Sequence, residues 1–177
     1  VIEPSVIIGK GCILYAGCII GSEGFGYLPN NGSIQKVHHL YAVILEEGVE
    51  VGANTTIDRG YLRHTYIGAQ TKIDNQVQIG HNVTIGSFTL IAGCVGIAGS
   101  ANIGSHCMIG GGCLIKGHIK ISDHVHLTAD TSVMNSINKA GIYSSCAVMM
   151  PYRQWKKSAA LFRRLPTLVK QLRMEKP

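Results

Sequence analysis

The sequence has 177 residues and a formal net charge of +6, and it is 46% hydrophobic but only 6% aromatic, with 22 glycines. That composition bounds it to one domain with a modest extension, and excludes an aromatic-rich globular core in favour of small branched side chains and many tight turns. No apolar run reaches the roughly 20 residues of a membrane-spanning helix and no signal peptide is visible, so the expected setting is cytoplasmic; Val1 is not Met, so N-terminal sequence is expected to be missing.

In chain order, aliphatic residues recur at every sixth position: Ile2, Ile8, Leu14 and Ile20, then Leu45, Val51 and Ile57, then unbroken from Ile67 to Val133. The residue four later is small or β-branched, as at Thr71, Val77, Val83 and Cys107. A period of six excludes an α-helix, whose faces recur near 3.6. It fits a three-sided parallel β-solenoid, in which each hexad makes a short strand and a turn and three hexads make a coil. The coils stack at strand spacing, about 4.8 Å.

Two interruptions break the register. Residues 22–44 carry Gly, Pro and Asn-Asn-Gly and are expected to leave the prism as a loop. The step from Ile57 to Ile67 is ten residues rather than six, so extra residues bulge near Gly60 to His64. Loops on a rigid scaffold are favoured places for binding. The solenoid is expected over 1–150. A helical extension follows over 151–177, from the spacing of Trp155, Ala159, Phe162, Val169 and Leu172, with Pro166 ending one helix and beginning a second.

The cysteines do not read as a metal or disulfide framework. Cys12, Cys18, Cys107 and Cys113 each fall four residues after a repeat aliphatic, where small inward side chains belong, and no C-x-x-C pair exists. They are expected as reduced, packed thiols. The positive charge is local: eight of the sixteen Lys and Arg lie from Arg153 onward. Lys156, Arg163 and Lys170 recur every seven residues with Lys157 and Arg164 beside them, a cationic stripe suited to an acidic partner.

The histidines carry the chemistry. His81 and His118 are 37 residues apart, two coils plus one residue, and are expected on one prism edge roughly 10 Å apart. His106 and His124 are 18 apart and should stack in adjacent coils, with His126 nearby. Such a cluster raises a zinc alternative, since imidazole is a common zinc ligand. Asp74, Asn75 and Gln78 precede His81 and make that coil unusually polar. Asp74 stands where Gly or Ala is usual, so its carboxylate must be hydrogen-bonded or at an interface.

Several strings are similar to one family: GSEGFGY (21–27), ANTTIDRG (53–60), DNQVQIGHNV (74–83), IAGCVGIAGS (91–100), CMIGGG (107–112), GHIKI (117–121) and GIYSS (141–145). In this order they resemble the UDP-3-O-acylglucosamine N-acyltransferases of lipid A biosynthesis. The resemblance implies a left-handed parallel β-helix of hexapeptide repeats, assembled as a homotrimer with sites between subunits. It implies transfer of a 3-hydroxyacyl chain from acyl carrier protein to the 2-amino group of a UDP-linked sugar, with no cofactor, metal or nucleic acid. It places His81 as general base and His118 in support. Asp74, Asn75 and Gln78 become substrate-facing, and Gly99 supplies a backbone N–H for the oxyanion. Lys156, Arg163 and Arg164 would meet the acyl carrier protein. The resemblance implies that the family's N-terminal uridine-binding domain is expected to be absent from this chain, and residues 35–39 read QKVHH where the family usually has Lys-Ile-Pro-Gln. Two other readings remain: a zinc enzyme like the γ-type carbonic anhydrases, and a catalytically silent hexapeptide scaffold.

Overall fold

The computed structural model describes residues 1–145 and 149–174, the side chains of 168 and 172–174 excepted. Two compact units divide the chain, Val1–Cys146 and Ala147–Pro177.

The first unit is a three-sided parallel solenoid. Among the described residues its sheets hold six, seven and six strands. Most strands are only two residues long, because each hexad spends the rest of its length turning a corner. The pairing is in register at a step of eighteen: Gln78 and Ile79 lie against Gly96 and Ile97, and Thr84 and Ile85 against Asn102 and Ile103. The chain visits the three sheets in turn. Thr84–Ile85 lies in the first, Leu90–Ile91 in the second and Gly96–Ile97 in the third.

The core is the column of repeat aliphatics. Ile57, Ile67, Ile79, Ile85 and Ile121 are fully buried, as are Val77, Val83 and Cys107 from the position four later. Each large side chain contributes roughly 1.5–3 kcal/mol by leaving water. The small inward residues do a second job. Thr71 and Thr89 hydroxyls donate to the carbonyls of Gly86 and Gly104, each at 3.0 Å. The Cys107 and Cys113 thiols donate in the same way to Ser122 and Thr128, at 3.3 and 3.1 Å. Burial pushes both thiols up from their ordinary pKa, which keeps them protonated. The expectation of packed thiols holds for Cys12, Cys18, Cys107 and Cys113, while Cys94 is exposed and Cys146 lies outside the described residues.

The corners of the unbroken repeat turn through left-handed residues. From Gln70 to Asp130 the positive φ falls on each sixth position, at Asn82 (59°), Phe88 (58°), Ser100 (63°) and His118 (62°) among others. A non-glycine residue there costs roughly 1–2 kcal/mol, so the corners are imposed by the stacked strands on either side.

Both interruptions fall where the sequence places them, but the longer one is not a featureless loop. It contains an antiparallel hairpin, Tyr27–Asn30 with Ser33–Lys36, and the prism resumes at Val43. The two turn residues Asn31 and Gly32 have φ of 44° and 82°, the twist that fits a two-residue hairpin turn.

The second unit carries one helix, Tyr152–Met174, with Pro166 inside it. The expected break at Pro166 is therefore corrected. The residue removes one N–H from the ladder, a loss a long helix sustains when its remaining turns stay bonded. Residues 175–177 of the predicted extension lie outside the described residues.

Candidate functional site

The corner between the third and first sheets gathers His81, His39 and Tyr61 around one cleft. His81 follows the strand Gln78–Ile79 and is half-buried. In the next coil Gly99 occupies its place, and the ring lies over it: a Cβ on Gly99 would sit 2.7 Å from Nε2 and 2.8 Å from Cε1. Only glycine leaves room for the imidazole. His118 stands one coil further, its N–H donating to the Gly99 carbonyl at 3.3 Å. The expected His81–His118 edge is thus formed.

Both insertions leave the prism at this same corner, in the two coils before His81. They fasten to each other: the Tyr41 N–H donates to the Gly60 carbonyl at 2.9 Å, and the Ala42 N–H to His64 Nδ1 at 3.0 Å. Together they wall a cleft of about 260 Å³ that Phe25, Tyr27, Val37, His39, Tyr61 and His81 line. The His39 ring meets the His81 ring edge-on at 5.0 Å and the Tyr61 ring at 5.7 Å. At the hairpin's base, Glu23 pairs with Lys36 and His38, which holds its carboxyl down at about 2.

Burial lowers the pKa of His81, and the neighbouring His39 and His118 rings lower it further. The ring is therefore held neutral at pH 7, the form that can accept a proton. Next to it, Asn82 is almost wholly buried and fully engaged. Its Oδ1 accepts the backbone N–H groups of Tyr61, Leu62 and Arg63 at 2.7, 2.9 and 3.4 Å. Its Nδ2 reaches His81 Nδ1 at 3.0 Å and Ser100 Oγ at 3.2 Å.

The three polar residues that precede His81 do not gather around it. Asp74 and Asn75 turn the previous corner, between the second and third sheets, at the far end of the strand that leads to His81. The Asp74 side chain is exposed and borders a separate shallow cleft with Lys72, Leu90 and Met108. The Asn75 side chain is occupied, its Oδ1 accepting the Ala53 N–H at 2.7 Å. Gln78 points outward from the strand between the corners, bonded to Thr56 and, at 3.1 Å, to Asp58 Oδ2. Burial raises the Asp58 carboxyl above its ordinary range, against the pull of Gln78, Ser22 and His39.

His106 and His124 stack as expected, centroids 4.9 Å apart and 4° from parallel, with Phe88 continuing the column at 5.2 Å. Face-to-face rings do not converge their nitrogens on a point. Among the described residues no group of three or more His, Cys, Asp or Glu is placed to hold a metal ion. The zinc reading finds no support in this geometry.

Comparison with known proteins gives the same direction. Residues 64–99 match the model of the bacterial transferase hexapeptide (six repeats). A UDP-3-O-acylglucosamine N-acyltransferase of Marinomonas sp. (strain MWYL1) is 59% identical over 167 residues, 94% of this chain and 49% of that protein. One of Ectopseudomonas mendocina (strain ymp) is 48% identical over 95% of this chain and 48% of its own length. The chain resembles the UDP-3-O-acylglucosamine N-acyltransferases. It spans about half the length of the curated relatives it matches. Solved UDP-N-acetylglucosamine acyltransferases from Bacteroides fragilis 9343 and Francisella novicida superpose with TM-scores of 0.68 and 0.70. Each covers 82% of this chain, which covers 55% and 58% of theirs, and at 18% identity they show the fold. That fold is the left-handed parallel β-helix of hexapeptide repeats.

In the part like the N-acyltransferases, the site residues the sequence reading missed are His39, Tyr61 and Asn82. A signal existed. Ser22, Asp58 and Gly80 lie at the same height on the third sheet in successive coils, so counting hexads puts both insertions beside His81. On the helix, Lys156, Arg163 and Arg164 are all exposed, and Lys156 borders a groove with Tyr152, Arg153 and Lys157. Among the described residues no helix is long and apolar enough to cross a membrane.

Proposed function

We propose that the protein is an N-acyltransferase that moves a 3-hydroxyacyl chain from acyl carrier protein to the 2-amino group of UDP-3-O-acylglucosamine, in lipid A biosynthesis. The observation that carries the reading is a neutral, half-buried imidazole, His81, fixed over Gly99 beside an aromatic-lined cleft. The amine attacks the thioester carbonyl; a C–N bond forms, the C–S bond breaks, and the proton lost by nitrogen passes through His81 to the departing thiolate. His81 is the general base, worth roughly 10²- to 10⁴-fold. His118 supports it, and the Gly99 N–H meets the oxyanion. The step requires no cofactor.

The working form is a homotrimer. Asp74 at one corner and His81 at the next sit at opposite ends of one sheet, so a cleft using both is completed by a neighbouring subunit. Leu90 and Met108, 44% and 49% exposed on the second sheet, leave apolar surface for such packing. Asp74 then faces substrate across the interface. The basic helix receives the acidic carrier. Arg163→Glu with Arg164→Glu should raise KM for the carrier about tenfold at low salt, shrinking as salt rises.

The reading is tested by mass spectrometry of the products formed from a panel of acyl carrier protein and acyl-CoA thioesters with UDP-amino sugars. N-acylated UDP-sugar from the carrier thioester is the expected product. No product with any pair, also when the sequence is extended to its relatives' full length, returns the protein to a silent scaffold.

A further inference from the structure

A base acting at Nε2 needs its lone pair there, yet the partners of His81 put the proton on that nitrogen. An amide oxygen only accepts and an amide nitrogen only donates. The three backbone N–H groups of residues 61–63 on Oδ1 fix which end of the Asn82 side chain is which. Nδ2 must then donate to His81 Nδ1, and its second hydrogen goes to Ser100 Oγ. An Nδ1 that accepts carries no proton, so the neutral ring has its proton on Nε2, over Gly99.

We propose that Asn82 is a positioning residue that sets the tautomer of His81. At rest it makes the ring present an N–H at Nε2. Turning the amide over frees the Nε2 lone pair, because Oδ1 then accepts a proton from Nδ1. This rests on the acyl-transfer reading for its consequence and on the hydrogen bonds for its substance. The amide cannot turn while residues 61–63 hold its oxygen, so the Gly60–His64 bulge becomes the element that decides between donor and base. The Asn82 carbonyl is tied to the same bulge by the Arg63 guanidinium, at 3.3 and 3.4 Å, and its N–H donates to Thr65 Oγ1 at 2.9 Å. Backbone and side chain of one buried residue therefore join the bulge to the ring.

Asn82→Asp isolates the effect. The carboxylate keeps an oxygen for the three N–H groups and offers a second oxygen to His81 and Ser100, in nearly the same volume. That second oxygen can only accept, so the ring must move its proton to Nδ1. The groups facing the ring are His39, His118 and, through the bulge, Arg63. A new carboxylate among them favours the imidazolium, by about one unit or more.

The test is long-range ¹H–¹⁵N correlation on the protein labelled at histidine, above the ring's titration range, with His81→Gln to assign the signals. The expected wild-type pattern is a proton-free Nδ1 and a protonated Nε2 at His81. In Asn82→Asp the two exchange and the titration moves upward by about one unit or more. A wild-type ring protonated at Nδ1 overturns the proposal, whatever the variant does. So does a folded Asn82→Asp protein, judged by unchanged His106 and His124 signals, with its tautomer unmoved. Both readouts are independent of turnover. Absence of acyl transfer with every donor would sink the functional reading and leave the tautomer assignment standing.

Discussion

Two corners of the same prism carry histidines, and they are built differently. At the corner between the first and second sheets, Phe88, His106 and His124 follow the repeat and nothing is inserted. The rings lie in a parallel column, and Phe88 remains 53% exposed. At the corner between the third and first sheets, the chain leaves the prism in two successive coils before reaching His81. The rings there meet edge-on, one nitrogen of His81 is held by a buried amide, and the pKa falls. The repeat supplies position at both corners. The insertions supply partners, burial and a cavity at only one. Imidazole on a solenoid edge gains a distinct environment through what the irregular segments pack against it.

The comparison breaks first at His81 itself. Replacing it with Ala should lower turnover roughly 10²- to 10⁴-fold, with the circular dichroism spectrum and melting temperature kept, since the core column does not include it. Retention of near-full transfer would remove the base. Gly99→Ala comes next. Its methyl would lie within 3 Å of His81 Nε2, so the ring must swing away. A displacement of about 1 Å costs on the order of 10²-fold, and the loss should appear in kcat. An active Gly99→Ala enzyme would show that the ring has slack.

The acid limb of the pH profile sharpens the contrast without a mutation. The proposed base works when neutral, and burial, with His39 and His118, lowers the pKa of His81 below the ordinary 6.5. Activity should therefore persist as the pH falls through 6.5, and the limb in kcat/KM should inflect below it. An inflection above 6.5 would mean that a carboxylate outweighs burial and the His39 and His118 rings.

The regular parts of this molecule are legible in sequence because a hexad has one solution. Ile79 and Ile97 must pair, since a slip of one residue would turn every aliphatic outward. The same counting stacks His106 on His124. The left-handed corner residues were equally periodic but escape notice, because Gln, Phe, Ser and His share no chemistry there; they share only a backbone angle. The site was half legible. The shared edge of His81 and His118 follows from register, whereas Gly99 enters only through the family resemblance. Asp74 and Asn75 were grouped with His81 because they are near in sequence, but a whole face of the prism separates the two corners. His39 lies deep among the two insertions, 2% exposed, in a segment with no period to place it. The hairpin that precedes it was announced by Asn31-Gly32, a turn signal that stands out only once the flanking residues are read as strands.

The smallest expected effect belongs to the regular corner. His106→Ala and His124→Ala, alone or together, should leave turnover within about twofold. Each ring is stacked on its neighbours at 4.9 to 5.2 Å, and stacked aromatic pairs are worth about 0.5–1.5 kcal/mol. Both histidines are exposed, so solvent replaces much of that contact when a ring is removed. The backbone also has something to gain or lose at these positions, because His106 and His124 have φ of 56° and 57°. Ala tolerates that region no better than His, whereas Gly adopts it freely. His106→Gly should therefore melt at or above the temperature of His106→Ala, with transfer unchanged in both. Were either substitution to abolish transfer in a folded protein, the stacked column would be part of a site. The distinction between a corner made by the repeat and a corner made by its interruptions would then fail.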